Sequence, residues 1–360
     1  MNRVPVIDLA ALLGGSAAGR AAVARDIGAA ARDVGFFSVA GHGVPSALVA
    51  DVFAAAQRFF ALPEERKAAV AIERSPQYVG FARLGSERLD PARPGDAKET
   101  FNMGREIDAD DPEFRAGTPF VGPNQWPDLP GFRATLLAYY DALLALGVTL
   151  HRAIAIDLGI DPEFFTPLFV RPLSALRLLH YPPHPGRFDG VRYGAGPHTD
   201  YGNITLLAQD ANGGLEVRTR GGDWISIDPV PDTFVCNIGD ALMRWSNDVY
   251  VSNPHRVINR SGRDRYSVAF FCEPRADAPV ACLPACSDAG NPPKYAPIAF
   301  ADYLRSRVEP TYMPSAAAHG AVDGASIEAR VPDRRPSTVT TGATNSPTAG
   351  ADAGANRSRS

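Results

Sequence analysis

The stretch that decides the fold reads Gly-Pro-His-Thr-Asp-Tyr-Gly at residues 196–202 of the 360-residue chain. His198 and Asp200 are two residues apart, so on a β-strand both side chains point to the same side of the sheet. A second strand must then bring another ligand to that place. His255, in the segment Asn-Pro-His-Arg-Val at residues 253–257, is the candidate. The pattern predicts a β-sheet protein built around these three side chains.

Two imidazoles and one carboxylate on one face of a metal ion are the donor set of non-haem Fe(II) sites, which leave coordination positions open for reactants. An isolated His-x-Asp tripeptide is weak evidence, because it arises by chance in many proteins. A later histidine at a distance suited to a barrel strengthens the interpretation. We therefore interpret His198, Asp200 and His255 as the metal ligands and the catalytic residues.

The region from residue 173 to residue 272 is a succession of short strand patterns separated by turn residues such as Asn212-Gly213-Gly214 and Gly221-Gly222-Asp223. The predicted strands are 175–181, 204–209, 214–219, 224–227, 233–238, 255–259 and 265–272. Many short strands at this spacing are typical of a barrel or a double-sheet jelly roll. The expected fold is mainly β with flanking helices.

Helical patterns come before these strands. Helices are predicted at residues 20–34, after Pro45, and at 132–158, where Leu136, Tyr140 and Leu143 keep the 3.6-residue period. Short strands are predicted at 4–9, 35–39 and 96–101. The long helix is expected to support one face of the sheet.

Composition divides the chain into three parts. Residues 1–130 form an N-terminal region of helices and early strands, and residues 131–312 form the jelly-roll domain with its support helix. Residues 313–360 are rich in Ala, Gly, Ser, Thr, Pro and Arg, and they contain no aromatic residue. Such a segment buries too little apolar surface to offset its chain entropy, so we expect a disordered tail.

Arg265 and Ser267 are predicted to face the metal. If a hairpin turn centres on Gly262, Ser267 lies opposite Val257 and all inward residues of the two strands share one face with His255. An arginine on an inward face is costly unless it meets an anion, and no acidic residue is expected there. A bound carboxylate is the natural partner, since arginine offers a bidentate fork and serine adds a hydroxyl donor.

Tyr181, at the end of its own strand, is a candidate for a third donor. A dicarboxylic oxo acid fits this arrangement, because one end can chelate the metal while the other reaches Arg265. The alternative for Arg265 is a surface salt bridge, and the alternative for Tyr181 is plain packing.

The substrate side of the cavity is less defined by the sequence. The candidates to line it are Tyr78, Phe101, Met103, Met243 and Phe271, each of which can equally be a core residue. The loop-rich stretch 75–130 and the segment 295–312 are candidates to cover the mouth.

Charge and composition limit the partners. A net charge of −4 and a pI near 6.0 give no reason to expect nucleic acid or an acidic membrane surface. No apolar run approaches the roughly 20 residues that span a bilayer, and the N-terminus lacks the pattern of a signal peptide. The four cysteines are expected to be reduced thiols. We expect a cytoplasmic monomer that acts on a small molecule.

Motifs spread over most of the chain up to Tyr312 carry a family resemblance. They are Pro5-Val6-Ile7-Asp8-Leu9, Gly35-Phe36-Phe37, His42-Gly43-Val44-Pro45, Phe59-Phe60-Ala61-Leu62-Pro63, Lys98-Glu99-Thr100-Phe101, Leu179-His180-Tyr181-Pro182-Pro183, His198-Thr199-Asp200-Tyr201-Gly202, Asn237-Ile238-Gly239-Asp240, Pro254-His255-Arg256 and Arg265-Tyr266-Ser267. With them the sequence resembles the isopenicillin N synthase-like family of Fe(II)- and 2-oxoglutarate-dependent oxygenases.

The resemblance implies a double-stranded β-helix (a cupin-like jelly roll). It implies that the triad holds Fe(II), and that Arg265, Ser267 and Tyr181 hold the C5 carboxylate of 2-oxoglutarate. O2 would oxidise a C–H bond of a small molecule of secondary metabolism, by hydroxylation or by desaturation or cyclisation. Many plant members carry Asn-Tyr-Tyr where this chain has Leu179-His180-Tyr181, so an asparagine contact near the iron is absent.

Two alternatives stay open. An iron oxidase of the same fold would not consume 2-oxoglutarate, and its Arg265 and Ser267 would bind the substrate's own carboxylate. A non-enzymatic jelly-roll protein would hold a structural metal, although open coordination positions argue against it. Succinate formed in step with product distinguishes a 2-oxoglutarate-dependent oxygenase from both alternatives.

Overall fold

The computed structural model describes residues 4–89, 93–183 and 190–312, and its strands confirm the predicted jelly roll with flanking helices. The predicted tail at 313–360 lies outside the described residues. The strands are β1 Val6–Asp8, β2 Phe36–Ala40, β3 Gly80–Ala82, β4 Glu99–Met103, β5 Ala175–Tyr181, β6 Ala195–His198, β7 Ile204–Gln209, β8 Leu215–Arg218, β9 Trp224–Ser226, β10 Phe234–Ile238, β11 His255–Val257, β12 Arg265–Cys272, β13 Pro279–Val280 and β14 Ile298–Ala299.

The larger sheet has eight strands in the order β1-β2-β10-β7-β12-β5-β4-β3. All its neighbours are antiparallel except β1 and β2. Inward and outward side chains alternate along each strand, so Arg265, Ser267, Ala269 and Phe271 of β12 face the cavity while Val268 and Phe270 face the helices. The smaller sheet has four strands in the order β6-β11-β8-β9, and the two sheets enclose the cavity between them.

The helices are α1 Ala10–Gly14, α2 Ala17–Asp33, α3 Ser46–Phe60, α4 Glu64–Ala68, α5 Pro112–Arg115, α6 Phe132–Asp157, α7 Asp240–Trp245 and α8 Phe300–Tyr312. The predicted support helix is α6. Its Tyr140 ring meets the outward Phe270 ring of β12 edge-on at 5.2 Å between centroids, and the Leu136, Leu143 and Leu150 side chains of its apolar stripe are fully buried.

One sequence expectation about α6 is wrong. By length and composition alone, α6 is apolar enough to cross a membrane, although the sequence suggested that no segment approached that length. Its apolar residues are explained by position, because it packs on both α2 and the outer face of the larger sheet.

The predicted hairpin between β11 and β12 is also wrong. β11 pairs with β6 and β8 in the smaller sheet, whereas β12 pairs with β5 and β7 in the larger one. The chain crosses between the sheets at 258–264, where the Asn259 amide donates to the backbone oxygens of Tyr181 and Pro182, each at 3.1 Å. Arg265 and Ser267 still face inward, because their alternation along β12 does not depend on the partner strand.

The early strands belong to the same sheet as the later ones. β4 pairs with β5 and β2 pairs with β10, so residues from both halves of the chain form one continuous sheet. The predicted division at residue 130 stays a prediction. All four cysteines are free, as expected for reduced thiols.

Candidate metal centre

The structure brings His198, Asp200 and His255 together. His198 ends β6, His255 begins β11, and the two are direct cross-strand partners whose ring centroids are 4.3 Å apart. Asp200 Oδ1 lies 3.9 Å from His198 Nε2 and 3.7 Å from His255 Nε2. One potential ligand atom from each residue lies within 4.8 Å of the others, and among the described residues no other such group occurs.

The position of Asp200 has a different cause from the one that the sequence suggested. β6 ends at His198, so the period-two argument does not reach Asp200. Instead, its Oδ2 accepts hydrogen bonds from Thr205 Oγ1 at 2.5 Å and from Asn237 Nδ2 at 2.7 Å. Thr205 and Asn237 are themselves cross-strand partners on β7 and β10. These bonds leave Oδ1 directed at the two imidazoles.

The loop that carries Asp200 is held by the start of α7. The Asp240 N–H donates to the Asp200 carbonyl and the Gly239 N–H donates to the Asn203 carbonyl, both at 2.8 Å. Gly239 comes so close to the loop that a β-carbon there would lie 2.3 Å from the Gly202 carbonyl oxygen. Only glycine permits this approach of two backbones, which fixes the loop relative to the larger sheet.

The protonation states suit a metal. Burial and the neighbouring His255 lower the pKa of His198 to about 3, so its imidazole is neutral at neutral pH. Burial alone would raise the pKa of Asp200, but the two histidines and the Thr205 and Asn237 bonds outweigh it and lower the pKa. A neutral imidazole and an ionised carboxylate are the forms that bind metals. His198 Nδ1–H donates to the Gly196 carbonyl at 2.7 Å, which leaves Nε2 as the free donor atom.

Arg265 is fully buried and faces the cavity without an acidic partner among the described residues. Its Nε donates to the Gly213 carbonyl at 2.5 Å, and Nη1 lies 3.2 Å from Ser267 Oγ. The guanidinium carbon stands 4.7 Å from the centre of the Tyr181 ring. The three residues that the sequence proposed as carboxylate ligands therefore lie side by side on β5 and β12.

A buried charge cluster lies beside these residues. Lys98 Nζ lies 2.6 Å from Asp96 Oδ2 and 2.8 Å from Glu87 Oε2. Burial lowers the pKa of Lys98, but the two carboxylates outweigh it and the pKa is raised. Glu87 also pairs with Arg177 at 3.1 Å, and Asp96 accepts a hydrogen bond from Gly196 N. The cluster connects the N-terminal region to β5 and β6.

Three of the five proposed cavity residues line the cavity: Tyr78, Met103 and Phe271. Phe101 does not, because its ring is fully buried in the hydrophobic core, 4.9 Å from the Phe59 ring. Met243 on α7 also lies outside the cavity lining. Residues between 77 and 104, Phe120, and Leu304 and Val308 of α8 line the cavity, and the expectation that these two segments cover its mouth stays a prediction.

The other histidines that the structure describes stand apart from the centre. His151 is fully buried on α6, His42 lies beside Phe234, and His180 pairs with Glu99. His184 and His319 lie outside the described residues. The sequence assigned none of these to the metal.

Comparison with known proteins gives two family matches. Residues 4–129 match the N-terminal region described as that of a non-haem dioxygenase in morphine synthesis. Residues 172–274 match the 2OG-Fe(II) oxygenase superfamily.

Individual relatives agree with these matches. The chain is 39% identical over 314 residues to the 2-oxoglutarate-Fe(II) type oxidoreductase hxnY of Emericella nidulans, covering 86% of this chain and 90% of the relative. It is 40% identical over 261 residues to the 2-oxoglutarate-dependent dioxygenase citB of Monascus ruber, covering 70% and 78%. Among solved structures, a full-length Neurospora crassa protein in complex with alpha-KG and thymine superposes with a TM-score of 0.76 at 34% identity, covering 86% of this chain and 97% of that one.

Proposed function

The chain belongs to the 2-oxoglutarate- and Fe(II)-dependent oxygenase superfamily, and from this premise we propose that His198, Asp200 and His255 hold its Fe(II) ion. The donor set supports this role, because two imidazoles and one carboxylate oxygen leave positions for reactants. Because Oδ2 accepts the Thr205 and Asn237 hydrogen bonds, Oδ1 is the oxygen that Asp200 would offer to the ion.

The assignment of the cosubstrate site depends on Arg265. A buried guanidinium without an acidic partner is costly, so the site calls for an anion. In our proposal Arg265 and Ser267 bind the C5 carboxylate of 2-oxoglutarate, and Tyr181 contributes its hydroxyl as a third donor. Leu179 gives the adjoining wall an apolar surface.

The protein is a 2-oxoglutarate-dependent dioxygenase that acts on a small molecule. Bound Fe(II), 2-oxoglutarate and O2 supply the oxidation of a substrate C–H bond, coupled to decarboxylation of 2-oxoglutarate to succinate and CO2. The chain's own residues orient the two organic molecules and exclude water. Leu179, Leu207, Leu215 and Val257 form apolar walls around the centre for that purpose.

Hydroxylation is the outcome that we propose first. The relatives act on unlike molecules, since one rice relative at 38% identity is named a homoarginine-6-hydroxylase and the Neurospora protein was crystallised with thymine. We also propose a cytoplasmic monomer without nucleic-acid or membrane partners. The four free thiols support a reducing compartment.

The test is a screen of small molecules for substrate-stimulated succinate release with added Fe(II). The wild-type protein should release succinate in step with product, and anaerobic Fe(II) plus 2-oxoglutarate should give a charge-transfer absorption band. Arg265→Met should weaken 2-oxoglutarate binding at least about tenfold, since a charge-assisted pair is lost. Arg263→Met, an exposed neighbour, serves as the matched control.

Oxygen consumption and product without succinate would support an iron oxidase of the same fold instead. Absence of the absorption band in correctly folded wild-type protein would contradict the assignment of both the metal and the cosubstrate sites.

A further inference from the structure

The side chains on the inward face of β12 line the cavity from one end of the strand to the other. Arg265 and Ser267 stand at one end, Ala269 follows them, and Phe271 lies near the other end, where it pairs in register with Thr205. Glu273 follows directly after the strand and lines the same cavity. Arg265 and Glu273 thus stand at opposite ends of β12, so if Arg265 holds the cosubstrate, the end at Glu273 is left for the substrate.

The Glu273 carboxylate has no hydrogen bond or ion pair with any residue that the structure describes, although the residue is only 7% exposed. Its backbone is fixed, because its N–H donates to Ser174 Oγ and its carbonyl accepts from the same hydroxyl, both at 2.9 Å. Its side chain packs so closely against Gly202 that a β-carbon there would lie 2.8 Å from Glu273 Oε1. The carboxyl group is therefore held in place beside the metal-binding loop.

Other polar groups of this part of the cavity already have partners. Arg177 donates to Asn102 Oδ1 at 2.9 Å and to Glu87 Oε1 at 3.1 Å. A buried polar group without a partner is unfavourable, and native proteins keep few of them. A group of this kind, aimed into a cavity, is explained when a ligand supplies the missing hydrogen bonds.

The surroundings restrict what that ligand can be. Burial raises the pKa of Glu273, which favours the neutral carboxyl, a group that can both donate and accept a hydrogen bond. A cationic ligand would approach Arg177, whose guanidinium carbon lies 5.4 Å from the centre of the Phe271 ring. An anionic ligand would approach Asp200. Phe271, Tyr78 and Phe120 give the walls an aromatic surface.

We propose that Glu273 recognises the substrate by paired hydrogen bonds and that the substrate is a neutral ring compound with adjacent N–H and C=O groups, as in a cyclic amide or ureide. The inference rests on the proposed function, since it assigns the substrate half of that site. Glu273 is thereby a specificity-determining residue.

The test measures binding without turnover. The full-length protein is loaded with 2-oxoglutarate and Zn²⁺, and uracil, thymine, 2-pyridone and 2-piperidone are titrated by calorimetry, each against its fully N-methylated counterpart. We expect at least one compound with a free N–H to bind at least tenfold more tightly than its methylated form. Glu273→Leu should lose that preference, whereas Glu273→Gln, which keeps a donor and an acceptor, should retain most of it.

Thermal denaturation separates recognition from a structural role. Glu273→Leu should melt at the same temperature as the wild type or higher, because it removes a buried group that lacks a partner. The inference is overturned if no compound binds, if methylation leaves binding unchanged, or if folded Glu273→Leu keeps the preference. Succinate release stimulated by other compounds would then leave the proposed function standing, whereas absence of cosubstrate binding would contradict that function itself.

Discussion

At the scale of single residues, Thr205 and Asn237 decide which oxygen of Asp200 faces the two histidines. Both donate to Oδ2, and the carboxylate cannot rotate without losing these bonds. Groups that orient metal ligands in this way contribute strongly to metal affinity.

Asn237→Ala should therefore weaken metal binding by about 10- to 100-fold, because Asp200 loses its 2.7 Å hydrogen bond and gains rotational freedom. Titration of the metal-free protein with Co²⁺, followed by absorption, measures the change. Ser226→Ala, an exposed polar residue on β9, is the control. Equal affinities of wild type and Asn237→Ala would refute the role.

His151 is a further buried residue that supports the loop. Its Nδ1–H donates to the Gly147 carbonyl at 2.7 Å, and its Nε2 lies 3.2 Å from Asn203 Nδ2, so that it accepts from the amide. Burial lowers the pKa of His151 to about 4. The neutral ring is required, because a proton on Nε2 would remove the acceptor.

This pKa predicts a loss of stability in acid. The unfolded histidine has its ordinary pKa of about 6.5, so the unfolded chain takes up the proton first as the pH falls. The stabilising contribution is complete above pH 6.5 and is lost progressively toward pH 4, to a limit of about 3 kcal/mol. The free energy of unfolding, measured by urea denaturation at pH 7, 5.5 and 4, should decline more steeply with falling pH in the wild type than in His151→Gln. Parallel curves would contradict the prediction.

The sequence could predict residues whose chemistry is unusual for their place. The triad followed from its donor types, and Arg265 followed from a charge on an inward face. Thr205 and Asn237 could not be found in this way, because their role depends on the pairing of β7 with β10, which no local pattern records. The same holds for Glu273, whose neighbours come from distant segments.

At the scale of elements, α8 forms part of the cavity wall through Leu304 and Val308. Arg307 anchors this helix, with its guanidinium 3.2 Å from Asp240 Oδ2 and 5.0 Å from the centre of the Tyr201 ring. Since Asp240 also begins α7, the wall is tied to the loop that carries Asp200.

Arg307→Met should raise the KM for the organic substrate identified by the succinate screen by roughly two- to fivefold, because a partly exposed ion pair contributes no more than about 1 kcal/mol. The kcat should change less. Arg305→Met on the same helix is the control, since its partners Asp302 and Glu309 lie on the exposed face. An equal effect of both variants would mean that Arg307 has no special role.

The strand predictions succeeded and failed for identifiable reasons. The bounds of β5, β7 and β12 match the predicted ones, because alternating or fully apolar runs ended by turn residues are clear signals. The pairing of β11 with β12 failed, because a short turn between two strands suggests a hairpin, and the sequence does not reveal that the chain changes sheets there. β3, with three residues, was too short to detect.

At the scale of the whole molecule, the cluster of Lys98, Asp96 and Glu87 joins the two halves of the chain. Lys98 precedes β4, and its carboxylate partners reach β6 through Gly196 and β5 through Arg177. The motif around Lys98 contributed to the family resemblance, but it did not reveal that Lys98 joins the two halves. That role depends on Asp96 and Glu87, which the folded chain brings to Lys98.

Lys98→Met should lower the free energy of unfolding by about 3–5 kcal/mol, because it leaves two buried carboxylates without their cation. Chemical denaturation measures the loss. Arg115→Met, which breaks an ion pair with the exposed Asp110, should cost no more than about 1 kcal/mol. A similar small loss in both variants would show that the buried cluster contributes little.

The crossover between β11 and β12 has a consequence for how the protein responds to its ligands. His198 and His255 lie in the smaller sheet, whereas Thr205, Asn237 and Arg265 lie in the larger one. Ligands held by these groups would bridge the two sheets, so separating the sheets would require their release. By thermodynamic linkage, bound metal ion and 2-oxoglutarate should then oppose any motion that separates the two sheets. The amide protons of β6 and β11 would therefore exchange more slowly in the enzyme with both ligands bound than in the ligand-free protein.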